Sequence, residues 1–297
     1  MRRIIFLITI LLLTYSAAFA QTTSGSDWMT DAGSKYWVTP DITYQTAENR
    51  SLKLDVWYQH NIKTPSPTLV FIHGGGWIFG SKEGTVLNFL PYMEMGWTIV
   101  NVEYRMASQS LAPAAVEDTR CALRWVFRNA KQYNFDTSKI VLTGQSAGGH
   151  LALITGMLPN GTGLDNNCYG DEELKVAAII NWYGISDVND LIAGKNLKNY
   201  AVMWVGSQQN AAEIAKRVSP LTYVRAGLPP ILTIHGDSDS IVPYSQSVRL
   251  HEALDKAKVT NKLITIKGGD HGGFSQADYV NSFKEIKEFL RHNKIIQ

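Results

Sequence analysis

The sequence holds only two cysteines, Cys121 and Cys168, and no C-x-x-C or His-Cys spacing of the kind that gathers zinc. Net charge is scarce as well: +2 with histidine neutral, and 18% charged residues. There is no internal repeat, low-complexity tract or Pro-rich linker. Beyond the N-terminus, no apolar run approaches the ~20 residues that a membrane span needs. These absences argue against a metal centre and against the basic field that suits nucleic acid or an anionic membrane. What is present, 45% hydrophobic residues over 297 positions, is globular composition with a sizeable core.

The N-terminus stands apart from fold reasoning. Arg2 and Arg3 precede an apolar run from Ile4 to Leu13, broken only by Thr9, and Ala18-Phe19-Ala20 forms a small-x-small cleavage site. Residues 1–20 therefore read as a secretory signal peptide, with residues 21–297 as one mature domain, secreted or periplasmic. A single membrane anchor is the alternative, but the run is short and polar residues follow at once. Residue 21 is Gln, not Cys, which argues against a lipid anchor. Losing Arg2 and Arg3 would take the 28 Lys and Arg to 26, equal to the 26 Asp and Glu. A neutral or mixed substrate suits such a protein. An even cysteine count in an oxidising compartment permits one disulfide; two buried thiols are the alternative.

Residues 21–40 read as a loosely ordered leader. After them, short apolar runs alternate with segments of helical spacing. Ile42 to Gln59 suggests two strands around the Glu48-Asn49-Arg50 turn. Leu69–Ile72, Thr98–Val102, Ile140–Leu142, Ala177–Tyr183, Ile231–Ile234 and Leu263–Ile266 read as further strands. Helices are expected over Ala114–Tyr133, Ala147–Met157, Tyr244–Lys258 and Phe274–Asn293. This alternation predicts an α/β fold: a mostly parallel sheet covered by helices on both faces. Residues 186–223 break the rhythm and suggest a small lid insertion; an ordinary crossover helix with a long loop is the alternative.

Four motifs carry chemistry, each just after a strand. Gly144-Gln145-Ser146-Ala147-Gly148-Gly149 lies between a strand and a helix, the setting of a nucleophile elbow, with Ser146 as the nucleophile. The helix N-terminus there favours developing negative charge. His73-Gly74-Gly75-Gly76-Trp77 leaves the backbone free to turn N–H groups inward, so Gly75, Gly76 and Ala147 are candidate oxyanion donors. His73 itself reads as structural. In His235-Gly236-Asp237-Ser238-Asp239, Asp239 is the preferred carboxylate to orient a catalytic imidazole, Asp237 the alternative, and His235 structural. Gly268-Gly269-Asp270-His271-Gly272-Gly273 offers His271 as general base, with Asp270 exposed. An imidazole base implies a rate that falls on its protonation, near pH ~6.5 for an unperturbed histidine.

The HGGGW, GQSAGGH, HGDSDSIVP and GGDHGGF stretches resemble the hormone-sensitive-lipase-like and feruloyl-esterase-like branch of the α/β-hydrolase fold, over about residues 45–290. The order Ser146, Asp239, His271 is the one this fold uses. The stretch before the first strand is short for the helical cap of hormone-sensitive-lipase relatives, which favours the feruloyl-esterase-like group. The resemblance implies cofactor-free hydrolysis of carboxylic esters, through an acyl-enzyme on Ser146. Feruloyl or acetyl groups on small molecules or cell-wall polysaccharides are the expected esters, with no stable membrane anchor. Trp77, Tyr183 and Trp204 are the candidate substrate-binding aromatics; Phe79, Tyr104 and Tyr244 also lie beside the motifs, and core packing is the alternative for each. An amidase, formamidase or peptidase would use the same triad. A prolyl-oligopeptidase-like enzyme would be expected to bring a large N-terminal propeller, and a binding domain to have lost a triad residue. Nothing in the sequence sets an oligomeric state.

Overall fold

A computed structural model describes residues 25–60 and 62–297. The expected signal peptide, residues 1–20, and its cleavage point lie outside them. Eight strands form one sheet: β1 (Tyr36–Ala47), β2 (Arg50–Gln59), β3 (Ser66–Ile72), β4 (Thr98–Val102), β5 (Phe135–Gln145), β6 (Ala178–Trp182), β7 (Ile231–Gly236) and β8 (Asn261–Ile266). Their spatial order is β1-β2-β4-β3-β5-β6-β7-β8. β1 and β2 pair antiparallel, and β2 joins β4 antiparallel; from β4 to β8 every pairing is parallel.

The parallel strands are apolar on both faces because both faces are covered. Successive residues feed opposite cores: Val70 and Ile72 of β3 enter one, Leu69 and Phe71 the other. The first core is roofed by helices Ala114–Arg128, Ala147–Met157 and Ser245–Lys256, the second by Leu90–Glu94 and Gln276–His292. Each fully buried Leu, Ile or Val side chain contributes ~1.5–3 kcal/mol of transfer free energy. This is the α/β-hydrolase architecture. The Ala147–Met157 helix is buried on nearly every side, which is why its sequence is apolar all round rather than striped.

The strand order also makes the site. β3 lies between β4 and β5, and the chain leaving β3 goes to one face while the chain leaving β5 goes to the other. Such a reversal opens a crevice at the carboxyl ends of the two strands. His73 follows β3 and Ser146 follows β5.

Two expectations need correction. Residues 21–40 are not a loose leader throughout: Gly25–Lys35 is helical, and β1 begins at Tyr36, paired with Gln59. The Tyr36 hydroxyl reaches the carbonyls of Met93 (2.8 Å) and Trp97 (2.9 Å), so tertiary contacts hold a segment whose own pattern is weak. The helix expected over Ala114–Tyr133 divides at Asn129, and Asn134 takes a left-handed φ of 57° before β5.

Cys121 and Cys168 are joined by a disulfide across 47 residues of sequence. In the chain-entropy picture a loop of that size is worth about 4 kcal/mol. Asp165 binds Arg120 (2.7 Å) and Arg124 (3.2 Å), pinning the same irregular stretch to the same helix. Residues 186–223 hold three short α-helices, Asn189–Ile192, Asn199–Val205 and Ala211–Arg217, and two 3-10 turns between β6 and β7. Arg249 grips this insertion through Asp187 and Asp190, both at 2.8 Å.

Candidate active site

Ser146 sits between β5 and the Ala147–Met157 helix with φ 55° and ψ −121°, a strained turn for a residue with a side chain. Its N–H donates to the Trp182 carbonyl (2.9 Å), which fixes the turn against β6. The small neighbours are a steric requirement. A Cβ on Gly148 would lie 2.1 Å from the Ile72 carbonyl oxygen, and one on Gly144 2.5 Å from it. The elbow therefore presses directly on the end of β3.

His271 comes from the loop after β8. Its Nε2 is 2.8 Å from Ser146 Oγ, and its Nδ1 is 2.7 Å from Asp239 Oδ2. Nδ1 faces a carboxylate and so carries the proton, leaving the Nε2 lone pair to accept from the serine hydroxyl. Asp239 is enclosed by donors: the N–H groups of Ile241 (2.9 Å) and Val242 (2.7 Å) reach Oδ1, and His235 Nε2 (3.1 Å) reaches Oδ2. Burial by itself raises this carboxyl's pKa. The hydrogen bonds from His235 and His271, the His271 charge and the Val242 N–H outweigh it and hold Asp239 far below the usual carboxylate range.

Asp237, the alternative acid, lies outside this relay, where it accepts from the Gly268 N–H (2.7 Å) and pairs with Lys267 (3.2 Å). Asp270 is exposed, yet it ties two loops together. Its Oδ1 accepts from the Ser240 N–H (2.8 Å), the Ser240 hydroxyl (2.9 Å) and the His271 N–H (2.8 Å). His235 is fully buried; its Nε2 faces only acceptors, Asp239 and the Val242 carbonyl, and its Nδ1 meets the Ser247 hydroxyl at 2.6 Å.

The glycine loop after β3 passes beside Ser146. Gly75 (φ 118°) and Gly76 (φ 58°) take left-handed backbone, and a Cβ on Gly75 would strike the Phe79 carbonyl oxygen at 1.9 Å. The Gly75 carbonyl is turned back to accept from Ile78 and Phe79. The N–H groups of Gly75, Gly76 and Ala147 donate to no acceptor among the described residues.

The aromatic candidates separate. Tyr183 lines the cleft at φ 41°, edge-on to the His271 ring with centroids 4.7 Å apart. Burial raises its hydroxyl pKa, so it stays protonated. Trp77 and Trp204, expected to bind substrate, are instead core. Both are 0% exposed and stack on each other at 4.1 Å. The Trp77 indole N–H donates to His150 Nδ1 (3.2 Å), and His150 Nε2–H donates to the Val218 carbonyl (2.7 Å). This buried group supports the Gly76 turn from beneath. Tyr104 is buried too, stacked on His73 at 4.3 Å. Burial lowers the pKa of both His73 and His150 to about 4, so both are neutral supports.

The cleft over Ser146 and His271 has a volume of about 630 Å³ and walls of Ile78, Phe79, Tyr183, Tyr200 and Ile241. Sequence reasoning missed Tyr200 and Ile241 as wall residues. Tyr200 lies in the 186–223 insertion and Ile241 two residues past Asp239; their hydrogen bond (Tyr200 Oη to the Ile241 carbonyl, 3.2 Å) joins the two segments across the mouth. No cluster of three or more His, Cys, Asp or Glu side chains suited to a metal occurs among the described residues. Nor is any helix among them long and apolar enough to cross a membrane.

Comparison with known proteins bears on the family and the fold. The BD-FAE family pattern matches residues 54–254. Among curated relatives, the probable carboxylic ester hydrolase LipM of Mycobacterium tuberculosis is 29% identical over 70% of this chain. The chain spans about half the length of the curated relatives it matches, 49% of LipM and 56% of esterase LipC from the same organism. Among solved structures, a truncated carbohydrate esterase from gut microbiota superposes with a TM-score of 0.73 at 26% identity, covering 86% of this chain and 97% of its own. Propionate-bound esterase 2 of Thermogutta terrifontis gives 0.72 at 26%, covering 90% and 97%. With the family pattern spanning two-thirds of the sequence and enclosing both the glycine loop and Asp239, this chain belongs to the BD-FAE family.

Proposed function

We propose that the protein is an exported serine hydrolase of carboxylic esters, with Ser146 as nucleophile, His271 as general base and acid, and Asp239 as its orienting carboxylate. The observation that carries this reading is the unbroken relay from Ser146 Oγ through His271 to Asp239, at 2.8 and 2.7 Å. Ser146 Oγ attacks the ester carbonyl while its proton passes to His271 Nε2. The carbonyl oxygen becomes an oxyanion held by the N–H groups of Gly75, Gly76 and Ala147. Collapse expels the alcohol, which takes the proton from His271. Water, deprotonated by the same nitrogen, then releases the acid and restores Ser146. Asp239 stays ionised throughout and stabilises the imidazolium.

Short acyl groups such as acetyl, or a single aromatic acyl such as feruloyl, suit a cleft of about 630 Å³ with Tyr183, Phe79 and Tyr200 in its walls. The likeness to a gut carbohydrate esterase supports ester-linked saccharides as the substrate class, and that to a propionate-bound esterase supports a short acyl group. Export is supported by the signal-like residues 1–20 and by the Cys121–Cys168 disulfide, a bond typical of oxidising compartments. The test is a panel of nitrophenyl esters of rising acyl length, with methyl ferulate, acetylated xylan and a matched aryl amide. Turnover of the esters by the native protein and its loss in Ser146→Ala support the reading. Hydrolysis retained by Ser146→Ala, or a preference for the amide, overturns it.

A further inference from the structure

A second groove, of about 860 Å³, lies beside the cleft on the opposite side of Gln145, the residue just before the nucleophile. Gln145 lines both spaces and its Oε1 accepts from Asn88 Nδ2 (3.1 Å) on the groove side, so the Asn88–Gln145 pair forms the wall between them. The groove runs between the 83–94 stretch and the Gln276–His292 helix, beside the C-terminal ends of β5 and β6. Its floor is aromatic: Trp182 packs against Tyr279 (6.0 Å) and Phe283 (5.5 Å). Leu87 and Val280 stand exposed on its rim, at 77% and 62%.

The charge at one end of the groove is uneven. Lys284, Lys287 and Arg291 follow one another at intervals of three and four residues, which places them on one helix face, and all three line the groove. Glu94 is the one acid in that lining, 3.8 Å from Lys287. Lys284 makes no ion pair with the described residues. The composition is otherwise almost balanced, so this local excess of positive charge is a feature of the groove.

We propose that the groove is a second binding site, for the alcohol side of the ester, and that it takes an acidic saccharide: sugar rings bearing a carboxylate. A hydrocarbon tail would leave the net positive charge of this lining, unpaired Lys284 above all, facing lipid, and a bare polyanion would leave the aromatic floor unused. Sugar C–H faces lie on aromatic rings while a ring carboxylate meets Lys284 and Lys287, so this ligand satisfies both surfaces. The polar rim of Asn88, Gln145 and Gln276 offers partners to sugar hydroxyls. A saccharide bound there runs across the Asn88–Gln145 wall to present an ester at Ser146. That last link rests on the ester-hydrolase reading above; affinity for the saccharide does not.

The test therefore has two arms. In the first, full-length Ser146→Ala protein is titrated with unesterified oligogalacturonate and with a neutral xylo-oligosaccharide of equal length, read by calorimetry and tryptophan fluorescence. The acidic chain is expected to bind on the order of tenfold tighter, the scale of two exposed ion pairs, and to lose that margin in Lys284→Gln/Lys287→Gln and at high salt. In the second, kcat/KM is compared on acetylated acidic and neutral oligosaccharides, with and without the double substitution. Nitrophenyl acetate turnover should be unchanged by it. Equal affinity for the two chains, or an acidic preference indifferent to both lysines, overturns the proposal. Tighter binding of octanoate or ferulate than of oligogalacturonate overturns it in favour of a small-carboxylate site. Lysine-dependent binding by a protein that cleaves no ester upholds the groove and sinks the hydrolase reading.

Discussion

The floor of the cleft and its walls are built differently. The floor is backbone-determined: Ser146 is held by a strained turn, Asp239 by two N–H groups and His235, and His271 by Asp270 across two loops. Little there can change without moving main chain. The walls are side chains on surface segments, with Phe79 and Ile241 exposed and Tyr200 on a short insertion. Rigidity suits a relay of this kind, in which a misplacement of ~1 Å can cost on the order of 10²-fold in rate. On the proposed function, replaceable walls would let one floor serve several acyl groups.

The sharpest break of that contrast is at the floor. Ser146→Ala and Asp239→Asn should each lower kcat by on the order of 10³–10⁴ or more, with unfolding midpoints close to native, measured by steady-state kinetics and urea titration. Gly148→Ala should act on stability as well. Its methyl would meet main-chain oxygen at 2.1 Å, so a loss above ~3 kcal/mol, or no soluble protein, is expected. Retained activity with native stability would show the elbow to be looser than described.

Acid should weaken the buried supports beneath the floor. His73 and His150 titrate near 4 in the folded protein, lowered by burial, whereas the unfolded chain protonates near ~6.5. The unfolded state therefore binds protons first as pH falls. Stability from these two residues is complete above about pH 6.5 and declines toward pH 4, by about 3 kcal/mol each. Urea midpoints across that range should slope downward, and His150→Gln should flatten the slope. The smallest effects belong to the walls. Tyr200→Ala should shift the preferred acyl length, changing kcat/KM several-fold on longer esters and little on acetate. A loss as large on acetate would move Tyr200 from wall to floor.

Much of the floor was legible because its signals are local. A strand-turn-helix serine flanked by glycines follows from steric rules acting within a few residues, and so does the glycine loop after β3. Asp239 over Asp237 was a choice between close neighbours, and the fold orients only the former toward His271. The walls were harder to read. Trp77 lies beside a motif and Trp204 in the lid segment, which suggests substrate contact, yet they meet across 127 positions and stack within the core. Tyr200 and Ile241 had no motif. Tyr36 carries no strand signal beyond its ring and is held by carbonyls 57 and 61 positions away.

Sequence alone determined the alternation of strands and helices, the order of serine, acid and histidine, and the places where backbone must turn without a Cβ, because covalent neighbours and short-range sterics set these. Tertiary structure decided which aromatics face solvent, which carboxylate meets the imidazole, that the two cysteines join, and that three lysine and arginine side chains border an aromatic groove near Ser146. Those depend on which distant surfaces the sheet brings into contact, and burial is a property of the neighbours rather than of the residue.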